Sequence, residues 1–130
     1  MVILKGWGGY PQVDANLIKP NSLSVFIDRL TKEQIPRGMG RSYGDSASAR
    51  EVIGTTYLDH LISFDTANGL LTCESGITVR KILKLIVPAG WFIGVTPGTS
   101  YVTLGGAIAS DIHGKNHHTS GTFGDYVENI

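Results

Sequence analysis

Two rhythms of apolar positions run along this chain, one with a helical period and one with the period of a strand. After Pro20 and Asn21, the residues Leu23, Phe26, Ile27 and Leu30 fall at i, i+3, i+4 and i+7. That spacing predicts an amphipathic helix, with Asn21 or Ser22 placed to cap it. Residues 34–37 (Gln-Ile-Pro-Arg) leave room for a short strand. The β-branched and aromatic run Val52, Ile53, Thr55, Thr56 and Tyr57 predicts another over 51–58. Leu61 to Asp65 and Leu70 to Glu74 predict two strands flanking a turn that ends at Asn68-Gly69, a strong hairpin signal. A second helical stripe of Val79, Ile82, Leu83 and Ile86 follows Thr78, its expected cap, and stops at Pro88 and Gly90. Trp91 to Val95 predicts a short strand, and Pro97-Gly98-Thr99 a turn. Thr103 to Ser110 is too rich in small residues for an independent helix, although close packing against another layer permits one. Phe123 to Ile130 reads as the start of an alternating strand that stops in mid-pattern, so we expect this chain to be the front of a longer protein. Strands and helices mixed in this way predict the α+β class.

Composition sharpens that picture. Seventeen of the 130 residues are glycine, nearly double the usual share of roughly 7%. Three lie within 6–9, none from Tyr10 to Arg37, three within 38–44 and eight within 90–124. Glycine-rich zones separated by conventional elements predict loops that converge on one place. The 11 basic and 11 acidic side chains cancel, which argues against bulk nucleic-acid binding. A lone Cys73 excludes an intrachain disulfide framework and a multi-cysteine metal site. No apolar stretch approaches the roughly 18 residues of a membrane span, and Met1 to Leu4 is too short for a signal peptide. A soluble, cytoplasmic protein is the expectation.

Two segments carry candidate chemistry. Gly38 to Gly44 directly follows a predicted strand, and its glycines let successive backbone N–H groups point at an anion without interference from Cβ atoms. Its spacing is G-x-G-x-x-x-G, one residue longer than the dinucleotide fingerprint, and Gly114-Lys115-Asn116 does not complete a Walker A motif. A simple tight turn is the competing reading. The second segment, His113-Gly114-Lys115-Asn116-His117-His118, holds three of the four histidines. It is compatible with a metal site, with a hydrogen-bonded loop, or with a contact to a flavin or nucleotide. Gly114 and Asn116 argue against a helix there, and Ser110 or Ser120 with His113 lacks the G-x-S-x-G elbow of a serine nucleophile. Trp7, Trp91 and Cys73 are expected in the core, and Lys81 and Lys84 on the solvated face of the second helix.

Four stretches in this order are distinctive: Arg37 to Asp45 (Arg-Gly-Met-Gly-Arg-Ser-Tyr-Gly-Asp), Pro97-Gly98-Thr99, Val102 to Ala109 (Val-Thr-Leu-Gly-Gly-Ala-Ile-Ala) and Asp111 to His118. Together with Gly6-Trp7-Gly8, they resemble the N-terminal half of an FAD-binding domain of the vanillyl-alcohol oxidase / p-cresol methylhydroxylase (PCMH) type. Within that family the resemblance is nearest to oxidases of the decaprenylphosphoryl-ribose type and more distant to sugar-lactone oxidases. It implies two small α+β subdomains, residues 1–56 and an incomplete 57–130, with a substrate domain and the catalytic residues beyond Ile130. It implies that Pro36, Arg37, Gly38, Met39, Gly40, Arg41, Ser42, Tyr43, Gly44, Asp45 and Ser46 wrap the FAD pyrophosphate. Gly98, Thr103, Leu104, Gly105 and Gly106 would form the second wall. Ser110, Asp111, Ile112 and His113 would reach the isoalloxazine end, and His118 and Gly121 would continue along its edge. No metal is then needed.

Several sugar-lactone oxidases carry a histidine in the first glycine loop, as G-x-G-H-S, that bonds covalently to the flavin. Arg41 holds that position here, which implies non-covalent FAD, with Arg41 supporting the loop or pairing with an acid and His113 the one rival for attachment. The implied reaction is oxidation of a CH–OH group on a small sugar-like substrate by hydride transfer to flavin N5. A lipid-linked sugar as substrate implies membrane association at the inner face. A fragment that ends mid-fold is expected to self-associate through an exposed sheet edge, or to bind FAD weakly. The alternatives are a stand-alone flavin- or nucleotide-binding module without turnover and, third, a histidine-metal hydrolase.

Overall fold

A computed structural model describes residues 1–130. Four strands, β1 (Val2–Lys5), β2 (Gln12–Ile18), β3 (Ile35–Arg37) and β4 (Glu51–Gly54), form one sheet in the order β1-β2-β4-β3. β1 and β2 are an antiparallel hairpin, whereas β4 runs parallel to both β2 and β3. Central β4 buries Val52 and Ile53 completely. Leu4, Ala15 and Val52 make the core of this sheet, with Leu17, Ile35 and Ala49 packed around them. Ala15 and its neighbours Val13 and Leu17 lie on one face of β2 because side chains alternate along a strand. Helix α1 (Leu23–Arg29) joins β2 to β3, and Ser22 caps it by accepting from the Val25 N–H at 3.4 Å. None of its side chains is buried. The stripe that predicts a core-facing helix is open on the outside, with Leu23, Ile27 and Leu30 each more than half exposed.

A second, two-stranded sheet pairs β5 (Leu61–Asp65) with β6 (Leu70–Cys73), Leu61 opposite Cys73 and Asp65 opposite Leu70. Asp65 builds the turn. Its carboxylate accepts from the Ala67 and Asn68 N–H groups and from the Asn68 amide, while Gly69 supplies φ +72°. Helix α2 (Val79–Ile86), capped by Thr78, lays Ile82 and Ile86 beside Ile77, and Phe64, Leu71, Cys73, Ile93 and Leu104 surround them. A turn of 3-10 helix (Val87–Ala89) and Gly90 at φ +85° end it. Cys73 is half-buried and its thiol is pushed up by desolvation. Lys81, expected to be merely solvated, pairs with Asp59 at 2.7 Å. The remaining elements are α3 (Leu104–Ala109), α4 (His117–Ser120) and a 3-10 turn at Phe123–Tyr126. No helix is long and apolar enough to cross a membrane.

Four expectations are corrected. The strand over 51–58 stops at Gly54, where the chain turns through a Leu58 N–H to Thr55 carbonyl bond. Trp91 to Val95 forms no strand. Instead of entering a sheet, Trp91 lays its ring over Gly69 and donates its indole N–H to the Thr66 carbonyl at 2.9 Å. Phe123 to Ile130 opens with a 3-10 turn, because the Asp125 carboxylate takes the Thr122 N–H at 2.8 Å and winds the chain locally. Trp7 and Trp91 both lie at the surface, not in the core.

Glu74 closes the open end of the hairpin. It accepts from the His60 backbone N–H at 2.9 Å and meets His60 Nδ1 at 2.6 Å. The backbone bond is the main reason its carboxyl lies below the ordinary glutamate range. A lowered folded-state pKa means that this stabilisation is present above the ordinary glutamate range and disappears as pH falls through the folded value. The urea midpoint is therefore expected to drop between about pH 5 and about pH 3. Glu74→Gln, which keeps an acceptor but no charge, should flatten that part of the profile.

Candidate cofactor site

Three glycine zones meet at one place. The loop after β3 begins at Gly38, where an added Cβ would overlap the Thr103 hydroxyl. Thr103 is buried and caps α3, its Oγ1 accepting from the Gly106 N–H at 3.2 Å. The N-terminal turn between β1 and β2 closes from the other side. A Cβ on Gly6 would lie 2.6 Å from the Gly44 carbonyl oxygen and 2.7 Å from that of Ser42, and the Trp7 N–H donates to the Ser42 carbonyl at 2.8 Å.

Arg37 braces this loop from below. Its Nη1 donates to the Ala47 carbonyl and to Ser48 Oγ, and its Nη2 to the Lys5 carbonyl at 2.7 Å. Gly40, at φ +65°, lies against the guanidinium and leaves no room for a side chain. Burial lowers the Arg37 pKa, but a guanidinium stays charged. The resemblance implies a cofactor contact for Arg37, whereas its side chain is spent on the protein itself. Arg37→Met is expected to lower stability by about 2 kcal/mol, because Ser48 and two carbonyls lose their donor. Arg37→Lys should recover little, since one ammonium cannot reproduce the fork. Chemical denaturation of both variants checks this.

The loop itself is held by its edges. No backbone N–H from Gly38 to Ala47 is donated to a backbone carbonyl, while the carbonyls of Ser42 and Asp45 both accept. A run of N–H groups that no protein atom accepts, in a loop where Gly40 and Gly44 take positive φ, suits an anion. Arg41 adds a cation. Its guanidinium lies 4.6 Å from the Trp7 ring centroid and donates to the Met39 carbonyl at 3.3 Å, yet its buried Nε has no acceptor. No carboxylate pairs with it; the two ion pairs of the chain are His60–Glu74 and Lys81–Asp59. Of the two expected roles, the acid partner is absent, and the one bond to the loop is that to Met39. Tyr43, Asp45 and Ser46 are exposed along the rim, and Pro36 is held within β3 opposite Ile53.

Helix α3 forms the far wall and spans about 9 Å for its six residues. Its glycines have a packing reason. A Cβ on Gly105 would sit 3.0 Å from Ser75 Cβ, so the helix lies close on the turn before α2. Leu104 packs its side chain against the core of the second sheet. Beyond the exposed Ser110, Asp111 adopts φ +41° and takes the Gly124 N–H at 2.8 Å, and Ile112 exchanges backbone bonds with Ala107 and Phe123. That turn delivers His113 to an open cavity of about 760 Å³, lined by Phe92, Ile93, Gly94, Thr96, Pro97, Gly98, His113, Gly114, Lys115, Asn116 and His117.

The residues named from sequence therefore fall in two connected places. Gly38 to Ser46 meet Thr103 at one end of α3. Gly98 and His113 line the cavity beyond its other end, which the loop does not reach. His118 and Gly121 lie outside that lining, Gly121 at φ +71° against the Asp125 carboxylate. Phe92 and Ile93 are lining residues that the sequence does not mark as such, because the apolar run after Gly90 reads as a strand. The histidines stack edge to face, with ring centroids 5.2 Å apart for His113–His117 and 5.6 Å for His117–His118. His117 begins α4, just past the glycine and asparagine that oppose a helix. No three histidine, cysteine, aspartate or glutamate side chains gather as a metal would require.

Comparisons with known proteins bear on this geometry. A family model described as an FAD binding domain matches residues 25–130. The chain is similar to decaprenylphosphoryl-beta-D-ribose oxidase of Mycolicibacterium smegmatis, 36% identical over 98% of the chain and 30% of that protein. It is similar to L-gulonolactone oxidase 5 of Arabidopsis thaliana, 32% identical over 60% of the chain and 13% of that protein. Among solved structures, alkyldihydroxyacetonephosphate synthase superposes with a TM-score of 0.66 at 18% identity, over 84% of the chain and 22% of that protein, a likeness of fold. The chain spans less than a third of each of these proteins. A mixed sheet feeding a glycine loop, the glycine-rich α3 opposite it and the match over 25–130 lead to one assignment: this chain belongs to the FAD-binding domain family.

Proposed function

We propose that the chain supplies part of the FAD site of an oxidoreductase that oxidises a CH–OH group of a sugar-like substrate, and that it holds the flavin without a covalent bond. One observation carries this reading: the N–H groups from Gly38 to Ala47 have no protein acceptor, in a loop that lies so close on Thr103 that a Cβ at Gly38 would overlap its hydroxyl. The orphaned Nε of Arg41 is a further donor in search of an acceptor. These features fit a pyrophosphate. The backbone from Gly38 to Gly44, together with Arg41, would hold the anion, and Gly105 and Gly106 would let the opposite wall come close. Gly98 and His113 would meet the ring end in the cavity. The two sheets, with 1–56 and 57–130 as their bounds, would be the two subdomains between which the cofactor lies.

Bound there, the flavin supplies a two-electron acceptor for hydride at its N5. The chain's part is positional. Backbone donors and the Arg41 charge offset phosphate charge, Phe92 and Ile93 displace water from one wall of the cavity, and His113 presents an imidazole at its mouth. The similar oxidases are named for a phosphoryl-ribose and a sugar lactone, so a small, sugar-like substrate is the proposal, lipid-linked if it follows the first of them.

The experiment is acid precipitation of the full-length gene product after its visible spectrum has been recorded. A yellow protein that releases flavin to the supernatant is the expected result. Flavin retained in the pellet would overturn the non-covalent assignment and point to His113 as the attachment site. A colourless protein that takes up no FAD on titration would overturn the reading as a whole.

A further inference from the structure

We propose that Trp7 is a positioning residue of the cofactor site: its ring holds the Arg41 guanidinium so that Nε–H is kept for an oxygen acceptor of the bound flavin nucleotide. The inference rests on the flavin reading above. It adds a segment that the family match, beginning at residue 25, does not include.

Three observations converge on the turn between β1 and β2. First, the turn is locked to the glycine loop by backbone alone, through the Trp7 N–H to Ser42 carbonyl bond and the close approach of Gly6 to the Ser42 and Gly44 carbonyls. Those contacts hold whatever side chain residue 7 carries, so they do not explain a tryptophan there. Second, the ring lies half exposed, its face 4.6 Å from the centre of the Arg41 guanidinium. An indole face attracts a cation, and it orients a planar guanidinium more firmly than it would an ammonium. Third, Arg41 has a single weak bond to the Met39 carbonyl, no carboxylate, and a buried Nε with no acceptor at all. A buried donor without a partner is unfavourable unless something else satisfies it. No backbone carbonyl of the loop lies where Nε–H can reach it, and the loop's own N–H groups are also without a protein acceptor. Nε–H is a donor, and so are the neighbouring backbone N–H groups that no protein atom accepts, so the missing partner is an acceptor, and a phosphate or carbonyl oxygen of the flavin nucleotide is the chemistry that fits.

FAD titrations of the stripped full-length protein, followed by flavin fluorescence, test this. Trp7→Leu keeps the backbone latch and is expected to raise the FAD Kd about fivefold. Arg41→Gln should raise it about tenfold or more. Trp7→Tyr, which restores an aromatic face, should return the Kd to within about twofold of the parent. In the Arg41→Gln background, Trp7→Leu should add less than about twofold, because its effect passes through the arginine. Thermal unfolding without FAD, unchanged between the parent and Trp7→Leu, separates positioning from folding. An unchanged Kd in Trp7→Leu overturns the proposal. So does an undiminished fivefold penalty in the Arg41→Gln background, which would make Trp7 act on its own. A failure of the flavin reading looks different, since the parent protein would then bind no FAD.

Discussion

Gly38→Ala is expected to strip the protein of measurable flavin affinity, with the FAD Kd rising about a hundredfold or more. The added Cβ falls on the Thr103 hydroxyl, 3.0 Å from its methyl carbon and 3.2 Å from its Cβ. Thr103 is buried and caps α3, so it cannot turn aside without releasing the Gly106 N–H. The loop has to lift off α3 instead, and the two walls of the cradle separate. The second-site variant makes this specific. Thr103→Ala removes the obstacle and on its own should lower stability by about 1 kcal/mol through the lost cap. Combined with Gly38→Ala, it should bring the Kd back to within about tenfold of the parent. A double variant as poor as the product of the single effects would mean that the Gly38–Thr103 contact is not what positions the loop.

Gly76→Ala has the largest effect expected on folding, a loss of about 3 kcal/mol. A Cβ there would overlap the Thr55 carbonyl oxygen and sit 2.6 Å from the Leu58 oxygen, and neither atom is the movable end of a side chain. The Gly76 N–H also donates to that Leu58 carbonyl at 2.8 Å, with fully buried Ile77 next in the chain. Relief requires the 55–58 turn to move away from the core that it helps to close. Urea unfolding should show the midpoint falling at unchanged slope. A loss below about 0.5 kcal/mol, the level of an ordinary surface substitution, would show that the turn yields easily.

Elements whose own residues decide their shape were legible in the sequence. The 65–69 turn is fixed by Asp65, Asn68 and Gly69, and α2 by the Thr78 cap and its stripe. Convergence of the glycine zones was legible too, since glycine marks places where backbone must come close. Readings failed where a distant partner decides. Trp91 to Val95 has a strand's composition and no strand beside it, and its leading tryptophan finds a better site over Gly69. The stripe of α1 correctly marks a helix but cannot say what covers it. Arg37 and Arg41 stand four apart in one motif and have different tasks, because only one of them faces the Lys5 carbonyl across the sheet. The β1–β2 hairpin has a weak signature, because Val13, Ala15 and Leu17 alternate with polar residues over only seven positions and the first strand has four.

The meeting of Gly38 with Thr103 has a thermodynamic side. No strand or helix among residues 1–54 packs broadly against one among residues 61–130; loops such as this one and the 55–58 turn bring the two sheets together. A ligand gripped from both sides of such a seam works as a bolt across a hinge, and its binding free energy becomes coupling between bodies that otherwise melt with some independence. Calorimetry should then resolve two overlapping transitions in the stripped protein that fuse into one, and climb, as flavin is added. In a cell where flavin runs short, the rigidity of this region would follow the cofactor supply as well as the sequence.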